Sequence, residues 1–106
     1  MERYVVADAP ERERFEIRDG EQVVGFTEYR RRGDLIAFVH TEIAPEREGE
    51  GLASRLIAAA LDEVRRQGIA VLPFCPFVRG YIAKHPDEYL ELVPAAQRHH
   101  FDLPDD

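Results

Sequence analysis

Three groups of residues in this chain have types and spacings suited to chemistry. The first is Glu48-Gly49-Glu50-Gly51-Leu52-Ala53-Ser54, a glycine-containing turn between an apolar stretch and a long amphipathic one. Glycines two apart let a backbone bend tightly and come close to a ligand. The first N–H groups of a following helix have no partner inside it and can face an anion, so the turn reads as a phosphate cradle. The second group is His40 and Glu42, which share a face of an extended segment by alternation; either can take a proton. The third is Cys75, the single cysteine, set just ahead of a predicted helix whose free N–H groups favour a thiolate. The plainer readings are a helix-capping loop, a structural histidine and a small buried hydrophobe.

Other chemistries lack their residues. No Lys-Ser/Thr follows the glycines as a P-loop needs, and no third glycine completes a dinucleotide fingerprint. His99-His100 are adjacent, and adjacent side chains rarely point at one ion; no cysteine or carboxylate stands at ligand spacing from them. No metal site is expected.

The elements that position these residues follow from periodicity. Arg14–Arg18 alternates polar and apolar, Asp19-Gly20 signals a tight turn, and Gln22–Arg30 continues as a second strand with Val24, Phe26 and Glu28 on one face. A turn at Arg32-Gly33-Asp34 leads to a third strand, Leu35–Ile43, whose apolar start suggests burial on both faces. A helix is expected from about Gly51 to Gln67. Its apolar half-wheel is Leu52, Ala53, Leu56, Ile57, Ala60, Leu61 and Val64, and Gly68 serves as its cap. Ile69–Leu72 is a short buried strand that can lie parallel to the third. Pro76 opens a second helix to Lys84, and 88–93 fits either a final strand or a short helix. The fold class is α/β (α+β): an antiparallel meander, a β-α-β crossover, a short second helix and a small terminal element. Residues from about Pro94 read as a loosely held tail.

Composition narrows the partners. The 106 residues suit a single domain, 1–106, with one core. The net charge of −7, from 21 acidic residues against 14 Lys+Arg, disfavours nucleic acid, and Arg30-Arg31-Arg32 sits in a turn. Charge interrupts the N-terminal MERYVVADAPERERF too early for a signal peptide, and no apolar run spans a membrane. A lone cysteine fits a reducing cytoplasmic setting. Oligomeric state is open.

Read together, Ile43-Ala44-Pro45, Glu48 to Ala53, Phe74 to Tyr81, His85-Pro86 and His40-Thr41 resemble the GNAT superfamily of N-acetyltransferases, in its small stand-alone branch. The likeness runs from Leu35 to Val93. The family's CoA motif is Arg or Gln, two variable residues, Gly, one variable residue, then Gly or Ala; here Glu48 stands at its first position. The resemblance implies acetyl-CoA as co-substrate and a small-molecule or protein amine as acceptor. It implies that the backbones of Thr41 and Ile43 pair with the pantetheine arm and that the N–H groups from Gly49 to Ser54 hold the pyrophosphate. Tyr81 falls where many members place a tyrosine that protonates the departing thiolate; otherwise it is an aromatic packed on the sheet. Cys75 would carry the acetyl group or line the acceptor pocket. The chain lacks the longer N-terminal helices of larger relatives, which also leaves open a CoA-binding module with little turnover.

Overall fold

The computed structural model describes residues 3–105; Met1, Glu2 and Asp106, the ends of the expected domain, lie outside the described residues. Five strands form one sheet in sequence order: β1 (Tyr4–Ala9), β2 (Arg14–Asp19), β3 (Gln22–Arg32), β4 (Leu35–Ile43) and β5 (Ala70–Pro73). The first four are antiparallel neighbours joined by short turns, with Gly20 (φ +63°) and Gly33 (φ +56°) supplying left-handed turn residues. Helix α1 (Leu52–Arg66) carries the chain back across the sheet, so β5 lies parallel to β4. Two helices, α2 (Pro76–Lys84) and α3 (Pro86–Tyr89), and 3-10 turns at Leu90–Leu92 and Ala95–Phe101 complete the order.

One apolar layer joins these parts. Leu52, Leu56, Ile57, Ala60, Leu61 and Val64 of α1 are buried against Phe15, Ile17, Tyr29, Ile36 and Phe38 of the sheet. Burial of each such large side chain contributes roughly 1.5–3 kcal/mol, which holds a helix that propensity alone would leave marginal. The helix ends in a Schellman motif: Gly68 at φ +72° lets Gly68 N–H donate to Arg65 O (3.0 Å) and Ile69 N–H to Val64 O (3.2 Å).

The structure corrects several expectations. The stretch before Arg14 is not a lead-in, because residues 4–9 form an edge strand and the meander has four strands. The start of β4 is buried on one face only: Ile36 and Phe38 are inside, while Leu35 and Val39 are exposed. Val24 and Phe26 do not share a face. Val24 is an extra residue between the pairs Arg18–Val23 and Ile17–Gly25, and this bulge reverses the alternation. Val24 is therefore buried in the core, while Phe26 faces outward beside His40. Residues 88–93 are helical rather than a strand. The segment after Pro94 is anchored, not loose: Phe101 and Leu103 are buried, and Phe101 meets Phe74 edge-on with centroids 5.1 Å apart.

Candidate functional site

The site forms where β4 loses a neighbour. Leu35 to Phe38 pair with Ala70 to Pro73 of β5, and Cys75 N–H still reaches Phe38 O at 2.8 Å. Pro73 and Pro76 then turn the chain off the sheet into α2. Beyond that point β4 pairs with β3 alone, so its β5-side edge from Val39 to Ile43 has no strand against it. A second bulge lies there. Glu28 pairs with His40 and Tyr29 with Phe38, leaving Val39 extra. The gap opens into a cleft of about 360 Å³ lined by Thr41, Ile43, Arg47, Glu48, Gly49, Gly51, Leu52, Ala53, Ser54 and Phe77.

The glycine turn forms one end of this cleft. Gly49 (φ +88°) and Gly51 (φ +74°) both occupy left-handed backbone, and Gly51 is the N-cap of α1 with no side-chain cap bond. The first helical bond runs from Arg55 N–H to Gly51 O (3.2 Å), so the N–H groups of Leu52, Ala53 and Ser54 precede it and are free of helical acceptors. An anion placed there meets those N–H groups and the positive end of the α1 dipole. Glu50 is the one residue of the expected cradle that does not line the cleft. Its carboxylate instead accepts a 2.5 Å bond from Tyr4 O–H of β1. Arg47 lines the cleft and is anchored by Asp19, 2.7 Å from its Nη1.

The remaining residues fall in three places. Cys75 is buried and absent from the cleft lining. Its Sγ lies 3.3 Å from Thr41 Oγ1, which lies 2.9 Å from Thr27 Oγ1, so a row of three side chains runs from β3 through β4 to the start of α2. Thr41 is the member that meets the cleft. Tyr81 lines an adjoining depression with Ser54 and Phe77, two residues shared with the cleft wall. Its ring packs on His85 at 4.4 Å and on Tyr89 at 5.8 Å. Burial, then the charges of Glu88 and Asp62, hold its phenol above the ordinary value, so it keeps its proton at neutral pH. His40 and Glu42 sit together on the outer face of β4, on the opposite side of the strand from Thr41 and Ile43, with His40 Nε2–H donating to Glu42 Oε2 at 2.7 Å. Because the carboxylate only accepts, Nδ1 is left to take a proton. Among the described residues no group of three or more His, Cys, Asp or Glu side chains is placed to hold a metal, and no helix is long and apolar enough to cross a membrane.

Comparison with known proteins decides the lineage. A family model described as GCN5-related N-acetyl-transferase matches residues 14–92, most of the sheet together with α1, α2 and α3. The chain belongs to that family. Its fold also matches solved structures. A GCN5-like protein from Staphylococcus aureus, solved by NMR, superposes with a TM-score of 0.64 at 20% identity, covering 89% of this chain and 91% of that one. The ribosomal-protein-S18-alanine N-acetyltransferase of Escherichia coli gives 0.53 at 19% identity over 69% of this chain, and the match spans only 43% of the E. coli enzyme. In this family member, the residues that line the cleft all lie within the matched stretch 14–92.

Sequence reasoning did not find Thr27, Arg47's anchorage or Tyr4. Thr27 is fully buried, and a threonine in the middle of a strand signals nothing until its cross-strand partner is known; here that partner is Thr41. Tyr4 lies 46 residues from Glu50, and only the folded chain brings them together.

Proposed function

We propose that this protein transfers an acetyl group from acetyl-CoA to an amine. One observation carries the reading: free N–H groups at the start of α1 and an unpaired β4 edge open into the same cleft. The residues present fit the co-substrate. Gly49 to Ser54 offer N–H groups to its diphosphate, and the backbone edge at Thr41 and Ile43 offers strand-like bonds to its amide-bearing arm. Acetyl-CoA supplies the activated thioester; the chain supplies position and proton management.

The acceptor makes a calculable demand. An alkylamine of pKa about 10.4 is neutral in only about one of 2,500 molecules at pH 7, a deficit near 4.6 kcal/mol. On this reading the His40–Glu42 pair takes that proton from the outer face of β4, where both side chains are more than half exposed to an arriving amine. A backbone N–H near Ile43 faces the developing oxyanion, and Tyr81, protonated at neutral pH, returns a proton to sulfur. The acceptor is an amine on a small molecule or a protein; the E. coli relative acts on a ribosomal-protein alanine. The free Cys75 suits a reducing cytoplasmic compartment.

Direct transfer is favoured over a covalent acetyl-cysteine, because Thr41 rather than Cys75 meets the cleft. Unchanged turnover in Cys75→Ala, without ping-pong kinetics in the parent, is the expected outcome. A CoA-binding module with little turnover is the second reading, supported by Glu48 in the cleft wall and by the placement of His40 and Glu42 across the strand from it. Titration calorimetry with acetyl-CoA tests both: no binding removes them together. Binding with no thiol release over a broad amine panel leaves the module alone.

A further inference from the structure

The glycine turn has a charge problem. A CoA diphosphate brings two negative charges to a wall that already carries the Glu48 carboxylate, in a chain of net charge −7. Backbone N–H groups contribute only partial charges. A full cation near them would offset Glu48, which stands where the family's motif has Arg or Gln.

Arg47 is that cation, one residue earlier, and its geometry is fixed from outside the turn. It ends the 3-10 turn Pro45–Arg47, lines the cleft, and its side chain is only 17% exposed. Of five guanidinium hydrogens, the two on Nη1 are spent: one goes to Asp19 Oδ2 at 2.7 Å, the other to Tyr4 O–H at 3.4 Å. The Nε–H and both Nη2 hydrogens have no protein acceptor among the described residues. The same Asp19 oxygen is also reached by Arg3 (2.9 Å), so this carboxylate is shared between two guanidiniums. Tyr4 also holds the Glu50 carboxylate at 2.5 Å, which keeps the second acid of the turn out of the cleft wall. One strand and one turn therefore perform two tasks: they fix a cation at the cleft and draw an anion away from it.

We propose that Arg47 is a phosphate-binding residue of the cleft, offering its Nε–H and Nη2 hydrogens to phosphoryl oxygens of the co-substrate while Asp19 and Tyr4 hold it in position. The inference rests on the acetyl-CoA reading above. A guanidinium with one edge tied down loses little freedom when the other edge meets a phosphate, which is where its bidentate geometry is worth most.

The test uses the full chain and three ligands: CoA, dephospho-CoA and phosphate-free pantetheine. Arg47→Met should bind CoA about tenfold more weakly than the parent, and Arg47→Lys should recover part of the loss. The parent's affinity for CoA should fall more steeply with added salt than the variant's. Pantetheine binding should be the same in parent and variant. Equal losses for CoA and dephospho-CoA place the contact on the diphosphate, while a loss confined to CoA places it on the ribose phosphate; either supports the proposal. CoA binding unchanged in Arg47→Met overturns it, as does an equal loss for pantetheine, which would make Arg47 a strut for the turn alone. A parent that binds no CoA overturns the acetyl-transfer reading first. Should Arg47→Met fail to fold, Asp19→Asn frees the guanidinium without removing its charge; weaker CoA binding with unaltered pantetheine binding is then the supporting result, and no change is the opposing one.

Discussion

The two halves of β4 make opposite use of the same backbone. From Leu35 to Phe38 the strand has neighbours on both edges, and Ile36 and Phe38 face the helix layer. From Val39 to Ile43 it keeps β3 and loses β5, and its inward residues Thr41 and Ile43 line the cleft. The switch occurs at the Val39 bulge, opposite the point where Pro73 and Pro76 take the chain away. A sheet builds a ligand site by withdrawing one strand, so that hydrogen-bonding groups made for pairing face a cavity. The first half supports that exposure energetically, and the second presents its free edge to the cleft.

Substitutions on either side of the bulge should therefore separate stability from binding. The largest effect belongs to Phe38→Ala, which empties a fully buried ring site packed against Phe15 and Tyr29. A loss of about 4 kcal/mol is expected in denaturant unfolding, while the protein that remains folded keeps its affinity for CoA. Gly25→Ala is next and tests whether the halves are coupled. Its Cβ would stand 2.5 Å from Ile43 Cδ1 and 3.0 Å from Glu42 O, so Ile43 must move in the cleft wall. Both stability, by about 2 kcal/mol, and CoA affinity should fall. Gly51→Ala should act more on the site than on the fold. The added methyl meets nothing within 4 Å, so its cost is only that of holding φ +74°, about 1 kcal/mol. Relaxation of that angle would splay the N–H groups, and calorimetry should show CoA binding about tenfold weaker.

The smallest effect lies away from the cleft, on β2, and sharpens the contrast by its pH dependence. Glu16 is a carboxylate only 1% exposed, reached by Arg12, Arg14 and Arg18. Burial pushes its pKa up, but the hydrogen bonds from Arg18 and Arg14 together outweigh that and leave it below the usual 4.5. A lowered folded-state value adds stability above the unfolded pKa and loses it as pH falls through the folded one. The stability gap between the parent and Glu16→Gln should be constant near neutrality and shrink below about pH 4.5, read from urea midpoints at successive pH values.

Much of this is legible in the sequence, and what is not has physical causes. The helix face from Leu52 to Val64, the Gly68 cap and Pro76 at a helix start follow from periodicity and backbone restriction, which are local. The bulges at Val24 and Val39 break the two-residue period that strand reading depends on, so Val24 was put on the wrong face. Strand β1 reads as a lead-in because its apolar run is short, Val5 beside Val6, and ends quickly in Asp8 and Pro10. The tail looked loose because its two anchors, Phe101 and Leu103, stand among polar residues and gain burial only from distant partners such as Phe74. For the site, the glycine turn was visible as a motif, whereas the side of β4 on which His40 and Glu42 stand depended on a bulge.

The outermost anchors also bear on how the protein can be handled. Tyr4 grips Glu50 beside the glycine turn, and Phe101 leans on Phe74, the neighbour of Cys75. A purification handle or fusion partner joined just before Tyr4 would therefore bear on the glycine turn, and one joined just after Leu103 on the stretch that leads into α2. Affinities should be compared only between samples that carry the same appendages.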